Sequence, residues 1–398
     1  MELHNQKCKL LRLRAYGASF HKCWIELVFV NGALTHMGAV DLGPSFDNSA
    51  AMQGISFSHH ATRGFESAEY VQDTKRWWFN GHLLCNTQQA WSQRSMPQLL
   101  DMFGHLKLPP VVSGTLILNR RDFPWLRVDN QIPFPWRFRS NDAWLDDRFF
   151  RVPLQRPLSF YGGADWSDIL VPVPEHWNVW ADTQQCRDKG KLEKRRSKLC
   201  FRGTATGEHL DLRNPRIAAV CMLEEFSWAD AAFNDWTRRE RVELRGNQLH
   251  VLHPTARMGR LADPLSPSQQ SENQILLYIH GHVAASRKAW QLCSGSVVLE
   301  LISETTAPQQ WFETKSGDVP RFQPAQWDTT TASFQIKDAT TTHFSCNVAE
   351  IVDASLWLLK HAQNLQPVVD HCLFIAEKVF AKSSMTAALQ AAVMQALE

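Results

Sequence analysis

Short apolar runs and stretches of helical period take turns along this chain. Cys23–Val30 is an apolar run interrupted by Glu26, and it reads as a strand. Arg76-Trp77-Trp78-Phe79 followed by Asn80-Gly81 predicts a strand entering a hairpin turn. Met96, Leu99, Leu100 and Phe103 recur at helical spacing, and Pro109-Pro110 stops that helix. Residues 115–118 form a continuous apolar run, the mark of a buried strand. That strand delivers Asn119-Arg120-Arg121-Asp122-Phe123-Pro124 at its carboxyl end. Residues 128–156 have no clear period and read as an irregular connection.

The second half repeats the theme. Residues 168–172 predict a short strand, and residues 199–201 a strand ending in Arg202-Gly203-Thr204. Residues 217–226 look helical, and 260–274 read as a linker or surface loop. A strand at 275–279, a short helix at 285–293 and a strand at 296–301 predict a compact βαβ unit. Asn347 with Glu350 three residues on predicts a capping-box helix start, and Pro367 predicts the start of the last helix. Strands alternating with helices predict an α/β architecture with mostly parallel sheets. Ligands of such sheets bind at the carboxyl ends of strands.

Composition narrows the classes. Of 398 residues, 44% are hydrophobic, too many for a disordered chain. Lys+Arg 42 against Asp+Glu 40 gives a formal charge of +2, so no whole-molecule field draws the chain to nucleic acid or an anionic membrane. No run reaches the roughly 18 apolar residues of a membrane span, and the first twenty residues lack the apolar core of a secretory leader. The nine cysteines include no CxxC pair, which argues against a disulfide framework and leaves room for one or two bridges. Cys200, Cys221 and Cys372 sit in apolar runs and read as small buried hydrophobes. Tryptophan is the surplus: 16 against 4 Tyr, which suits either packing or sugar stacking.

Several strand ends carry residue types suited to a phosphate-bearing ligand. Arg202 stands beside Gly203 and Thr204, Arg213 just before a helix, and Arg287 after the 275–279 strand. A guanidinium matches phosphate oxygens bidentately, and glycine lets backbone N–H groups approach. The alternative for each arginine is a surface position or an ion pair. Asp122 could take a proton from a substrate hydroxyl, or could cap a turn against Arg120 or Arg121. The basic run 187–198 could touch nucleic acid, but Asp188 and Glu193 break it and a solvated helix face fits it better. His280-Gly281-His282, His59-His60 and His343 lack zinc-site spacing, and no Asp-x-Asp occurs in the chain.

In order and spacing, five segments resemble the glycosyltransferase family of the fungal capsule-associated proteins and the animal Rumi-type protein O-glucosyltransferases. They are Trp78-Phe79-Asn80-Gly81, Asn119 through Pro124, Asp168-Ile169-Leu170-Val171-Pro172, Phe201 through Gly207, and Tyr278 through Leu299. The match covers roughly residues 76–359. The resemblance implies a GT-B fold: two Rossmann-like domains facing across a cleft, an acceptor-side half at 76–172 and a nucleotide-sugar half at 173–398. Residues 1–75 fall outside it, with no assigned role.

The resemblance further implies an inverting transferase that moves glucose or xylose from a UDP-sugar to a hydroxyl of a glycan or a protein Ser. It implies no catalytic metal or other cofactor. Asp122 takes the place of the catalytic base. Arg202, Gly203, Thr204 and Arg213 fall in the first donor segment, and His282, Val283, Ala284, Ala285, Ser286 and Arg287 in the second, with Gly295 and Ser296 after it. Trp125 is the first candidate for stacking an acceptor sugar. The family works in the secretory pathway. The animal enzymes have Ser where this chain has Ala285, and a longer segment between Pro172 and Phe201. The rival expectation is a non-catalytic carbohydrate-binding or scaffold protein on the same fold.

Overall fold

A computed structural model provides the structure of the chain. It describes residues 23–41, 68–71, 76–79, 82–86, 90–119, 156–162, 167–207, 209–236, 241–245, 248–252, 258–281, 284–302, 309–313, 321–337 and 340–397. The chain divides into two compact units, residues 1–177 with 385–398, and residues 178–384. Both are mixed α/β.

The first unit is built on strands β1 (Cys23–Val30) and β2 (Ala33–Asp41), which pair antiparallel. Asn31 (φ 50) and Gly32 (φ 79) turn the chain between them, both in the left-handed region that a tight hairpin requires. Strands β3 (Ala68–Val71), β4 (Arg76–Phe79) and β5 (His82–Asn86) form a separate antiparallel sheet. The β4–β5 pairing is the hairpin expected across Asn80-Gly81. Helix α1 (Ala90–Gly104) buries Leu99, Met102 and Phe103, and is followed by β6 (Gly114–Asn119).

Short strands β7 (Leu158–Ser159), β8 (Tyr161–Gly162) and β9 (Ile169–Leu170) follow. The main sheet has the order β2-β1-β6-β7-β9. Its first two pairings are antiparallel and its last two parallel, so the unit is less uniformly parallel than alternating strands and helices predict. The reason is the tight Asn31-Gly32 connection, which can only reverse the chain.

The second unit holds a seven-stranded sheet of order β11-β10-β14-β15-β19-β17-β18. Its strands are β10 (Arg196–Thr204), β11 (Ala229–Asp235), β14 (Asn273–Ile279), β15 (Val297–Ile302), β17 (Pro324–Asp328), β18 (Ser333–Phe334) and β19 (His343–Asn347). All pairings are parallel except the edge hairpin β17–β18. A two-stranded hairpin, β12 (Arg241–Arg245) with β13 (Gln248–Leu252), and the short strand β16 (Gln309–Gln310) complete the strands.

The helices of this unit begin with the short α2 (Val179–Asp182) and α3 (Gln184–Arg187). Then come α4 (Pro215–Leu223), α5 (Pro267–Gln270) and α6 (Arg287–Leu292). Helices α7 (Ile351–His361) and α8 (Gln366–Val379) close it, and α9 (Lys382–Leu397) returns the chain to the first unit. Pro367 thus starts the penultimate helix, not the last. The Asn347–Glu350 capping box is present, with Asn347 N–H donating to Glu350 at 2.9 Å.

One core face joins Leu199, Phe201, Ile275, Leu277, Val297, Leu299 and Phe344 from the strands with α4 and α7. The intervening Cys200, Leu276, Tyr278 and Val298, on the opposite face, are buried too. Burial on both faces is what a parallel sheet requires, and each fully buried Leu or Ile contributes about 1.5–3 kcal/mol. The 260–274 segment is less of a loop than expected. Ser266 caps α5 with a complete capping box, and Gln270, Ser271 and Asn273 are buried.

Among the described residues Cys186, Cys200, Cys221, Cys293, Cys346 and Cys372 are free thiols. No helix among them is long and apolar enough to cross a membrane.

Candidate functional site

The order of the seven-stranded sheet creates one special position. From β10 the chain crosses to β11 on one side, then returns to β14 on the other. The reversal leaves a crevice beyond the carboxyl ends of β10 and β14, the place where open parallel sheets take their ligands. Thr204 ends β10, and Ile279 and His280 end β14.

Two arginines fill the floor of this crevice. Asn214 caps α4 by accepting the Arg216 N–H at 2.9 Å, and Pro215 occupies the first turn. The cap aims Arg216 at the strand ends. Its guanidinium donates to the carbonyls of Thr204 (2.9 Å), Ile279 (3.0 Å) and His280 (3.0 Å), and to the Thr206 hydroxyl (2.5 Å). Arg287, at the first position of α6, donates to the carbonyl of Arg202 and lies over the Phe201 ring, 5.4 Å from its centroid. Among the described residues no carboxylate pairs with either one. Burial and the charge of Arg287 pull the Arg216 guanidinium down to about 9, and burial lowers Arg287 as well. Two cations kept together at that cost are a ready counter-charge for an anion.

Glycines make the room. A Cβ on Gly203 would stand 2.8 Å from both terminal nitrogens of Arg287. A Cβ on Gly281 would stand 2.7 Å from the Thr206 hydroxyl and 3.0 Å from Arg216.

Beside the crevice lies a buried polar network centred on Glu300, the register partner of Tyr278 in the β14–β15 pair. Glu300 accepts from Lys288 (2.9 Å to each oxygen), from His280 Nε2 (3.3 Å) and from His343 Nε2 (3.2 Å). Lys288 also reaches Glu313 at 2.5 Å. The Tyr278 hydroxyl meets His280 Nδ1 at 3.3 Å, accepts the Ala285 N–H at 3.0 Å and faces the Ala285 carbonyl at 3.3 Å. Burial opposes charge on Glu300, but Lys288 and the two histidines hold its carboxyl well below the usual range. Burial opposes charge on Lys288 too, and Glu300 and Glu313 outweigh it, raising the ammonium. Burial lowers His343 and raises Tyr278 well above its ordinary value.

The sequence-predicted donor residues divide into those at the crevice and those elsewhere. Gly203, Thr204, Ala285, Ser286 and Arg287 gather at or next to it, and Ala284 is buried beneath. Thr204 Oγ1 donates to Asn234 at 3.3 Å. Arg202 points away, paired with Asp230 of β11 at 2.7 Å and bonded to the carbonyls of Asp230 and Asp263. It is the ion-pair alternative that the sequence left open. Arg213 is exposed and forms a fork on Asp211, whose carboxyl that hydrogen bond lowers to about 2.

Gly295 and Ser296 precede β15, a strand of six residues, and so stand about 20 Å from the crevice end of the sheet. There they serve Arg195, which donates to the Ser296 hydroxyl at 2.6 Å and to the carbonyls of Cys186, Gly190, Ser271 and Ser294. Asp122, Trp125, His282 and Val283 lie outside the described residues. The basic run is not one helix face. Arg187 stacks on Trp180 at 3.8 Å, Arg195 is buried, and Lys189 and Arg196 meet Glu272.

No protein-family model matches the chain. It is similar to uncharacterized protein 179R of Invertebrate iridescent virus 6, 24% identical over 289 residues, covering 59% of this chain and 24% of that protein. It is similar to uncharacterized protein 035R of Invertebrate iridescent virus 3, 25% identical over 269 residues, covering 60% of this chain and 23% of that one. It also matches uncharacterized protein 027R of Frog virus 3 (isolate Goorha), 25% identical over 310 residues, covering 68% and 31%. The chain thus spans less than a third of the length of these relatives.

Sequence reasoning missed Arg216, Asn214, Tyr278, Lys288 and Glu300. A signal existed for the first two. Asn214-Pro215 is a helix-start signature, which places Arg216 in the first turn after the β10 loop. The Glu300 network had none, because its members meet only through strand register.

Proposed function

We propose that this chain binds the diphosphate of a nucleotide-sugar at Arg216 and Arg287 and transfers the sugar to a hydroxyl acceptor. In this reading it is a metal-independent inverting glycosyltransferase of GT-B type, using UDP-glucose or UDP-xylose. The observation that carries the donor half is a pair of arginines at the switch point between β10 and β14 that meet no carboxylate among the described residues. Gly203 and Gly281 leave the room that the two guanidiniums occupy.

The transfer half rests on the resemblance at residues 119–124. The Asp122 carboxylate takes the acceptor hydroxyl proton as that oxygen attacks the anomeric carbon. The bond from the anomeric carbon to the β-phosphate oxygen breaks, and its electron pair departs on UDP. Arg216 and Arg287 meet that developing charge, a stabilisation worth most in a site shielded from water.

A thermal-shift panel of UDP, GDP and CDP sugars tests the reading. UDP and its sugars raise the midpoint, by about 2.7 kcal/mol of stability at a hundredfold excess over Kd. A panel without any UDP response overturns it. Turnover of the bound donor separates a transferase from a non-catalytic carbohydrate-binding protein on the same fold.

A further inference from the structure

The Glu300 network holds two carboxylates, Glu300 and Glu313, against one ammonium, Lys288. The network thus holds one carboxylate more than Lys288 balances, and the Arg216 guanidinium, bonded to the His280 carbonyl, lies close to it. Two histidines touch Glu300. His343 is the more deeply buried of the two, at 3% exposure against 16% for His280, and its other nitrogen faces the Thr342 hydroxyl. His280 stands at the crevice, one residue before Gly281, and its carbonyl accepts from Arg216.

The Tyr278 hydroxyl couples His280 to the loop that carries Arg287. It already accepts the Ala285 N–H, so its own proton has two destinations, His280 Nδ1 or the Ala285 carbonyl. With His280 neutral and its proton on Nε2 toward Glu300, Nδ1 accepts from Tyr278. With His280 protonated, Nδ1 donates to Tyr278, and the hydroxyl must turn to Ala285. The turned hydroxyl ties both backbone groups of Ala285, two residues before Arg287. Gln310 Nε2 holds the same carbonyl at 2.9 Å.

We propose that Tyr278 and His280 are positioning residues of the anion crevice, and that binding of a diphosphate is linked to uptake of one proton on His280. The inference rests on the reading of Arg216 and Arg287 as an anion site. Anion charge near the strand ends favours the proton, and by reciprocity the proton favours the anion. Among the described residues, the charged and titratable groups that face His280 are Tyr278 of its own strand, Glu300 of β15 and, at its carbonyl, Arg216 of α4, with Lys288 of α6 reached through Glu300. Glu313 and His343 complete the set through Lys288 and Glu300.

Calorimetric titration of the full chain with UDP and with inorganic pyrophosphate, in buffers of different ionisation enthalpy, reads the proton directly. The expected result is net proton uptake on anion binding, with Kd tightening as pH falls. His280→Gln retains anion binding and loses the uptake, whereas His343→Gln keeps it. Tyr278→Phe weakens the affinity without abolishing uptake, and melting curves establish that each variant is folded.

Pyrophosphate binding with uptake but no UDP binding supports the relay and overturns the nucleotide reading. Binding without uptake, or uptake that survives His280→Gln, overturns the relay and leaves the nucleotide reading intact. Failure of both anions to bind overturns both.

Discussion

Arg216 Nη2 donates to the carbonyl of Ile279 across 3.0 Å and 63 residues of sequence. That bond ties the first turn of α4 to the end of β14, and the same guanidinium ties both to β10 through Thr204. Arg216 is therefore a strut, and in the proposed reading it is also half of the anion site. Arg216→Lys keeps the charge and loses the fork. Orphaned buried carbonyls cost about 1–3 kcal/mol, so the urea midpoint drops and UDP affinity falls with it. A lysine variant of wild-type stability and affinity would contradict both roles.

Arg287 and Arg202 stand on neighbouring elements, yet their removal separates binding from folding. Among the described residues Arg287 makes one hydrogen bond and no ion pair, so Arg287→Ala leaves the melting temperature nearly unchanged and, in the proposed reading, weakens UDP by at least about tenfold, or roughly 1.4 kcal/mol. Arg202 is locked onto Asp230 and three backbone carbonyls. Arg202→Ala lowers stability by about 1–3 kcal/mol and leaves the UDP affinity of the folded fraction alone. Paired melting and titration experiments on the two variants check this; the reverse pattern would exchange their roles.

Gly203 offers a sharper probe of the crevice than any charge removal. The atoms that an added Cβ meets are the tips of a flexible arginine, so the fold accommodates Gly203→Ala while Arg287 swings aside. The expected variant melts within about 1 kcal/mol of wild type and loses UDP affinity as Arg287→Ala does. Combining the two substitutions adds little further loss, because both act through one side chain. Additive losses in that double-mutant cycle would show that Gly203 acts otherwise.

What was legible in the chain follows from how local each signal is. β1, β6, β14 and β15 are predominantly apolar runs, broken only by Glu26 in β1 and Glu300 in β15 among charged residues, and pattern alone finds them. β11 is Ala-Asp-Ala-Ala-Phe-Asn-Asp, without a branched residue, and no strand signal marks it. Without β11 the reversal between β10 and β14 is invisible, and with it the reason for a crevice there. Arg202 looked like a ligand residue because it sits near a strand end beside glycine. Only the register with Asp230, a pairing across the sheet, turns it into an ion-pair member. Glu300 is the one charged residue of β15, and only the register that sets Tyr278 opposite it brings the network together.

Asp122→Asn isolates the chemical step. An amide cannot take the acceptor proton, so transfer falls by the 10²–10⁴-fold typical of a lost general base, about 3–5 kcal/mol of barrier. UDP affinity stays within about twofold, because the donor half of the reading places the diphosphate on Arg216 and Arg287. Turnover and UDP titration on the same preparation decide it, and full activity in the variant would remove Asp122 from the mechanism.

Acid should weaken the fold in two stages, and the signs follow from the Glu300 network. Burial depresses His343, so the folded protein declines a proton that the unfolded chain accepts below about 6.5. Stability therefore falls as pH drops below that point, by at most about 1.4 kcal/mol per pH unit for this one group. Glu300 is depressed as well; its contribution is complete above the ordinary carboxylate range and disappears as pH falls through its lowered folded value. Lys288 is raised, so its contribution is complete up to the ordinary lysine range and is lost only as pH rises beyond it. Stability should be flat between about pH 7 and 10, decline gently below 6.5 and steeply below 4.5. His343→Gln removes the gentle stage and leaves the steep one. Glu300→Gln leaves Lys288 paired with Glu313 and weakens the hydrogen bonds of Lys288, His280 and His343, which costs about 1–3 kcal/mol across the plateau. Urea midpoints measured every half unit from about pH 2 to 10 resolve both stages; a His343→Gln curve parallel to wild type between pH 7 and 5 would assign the first stage to another group.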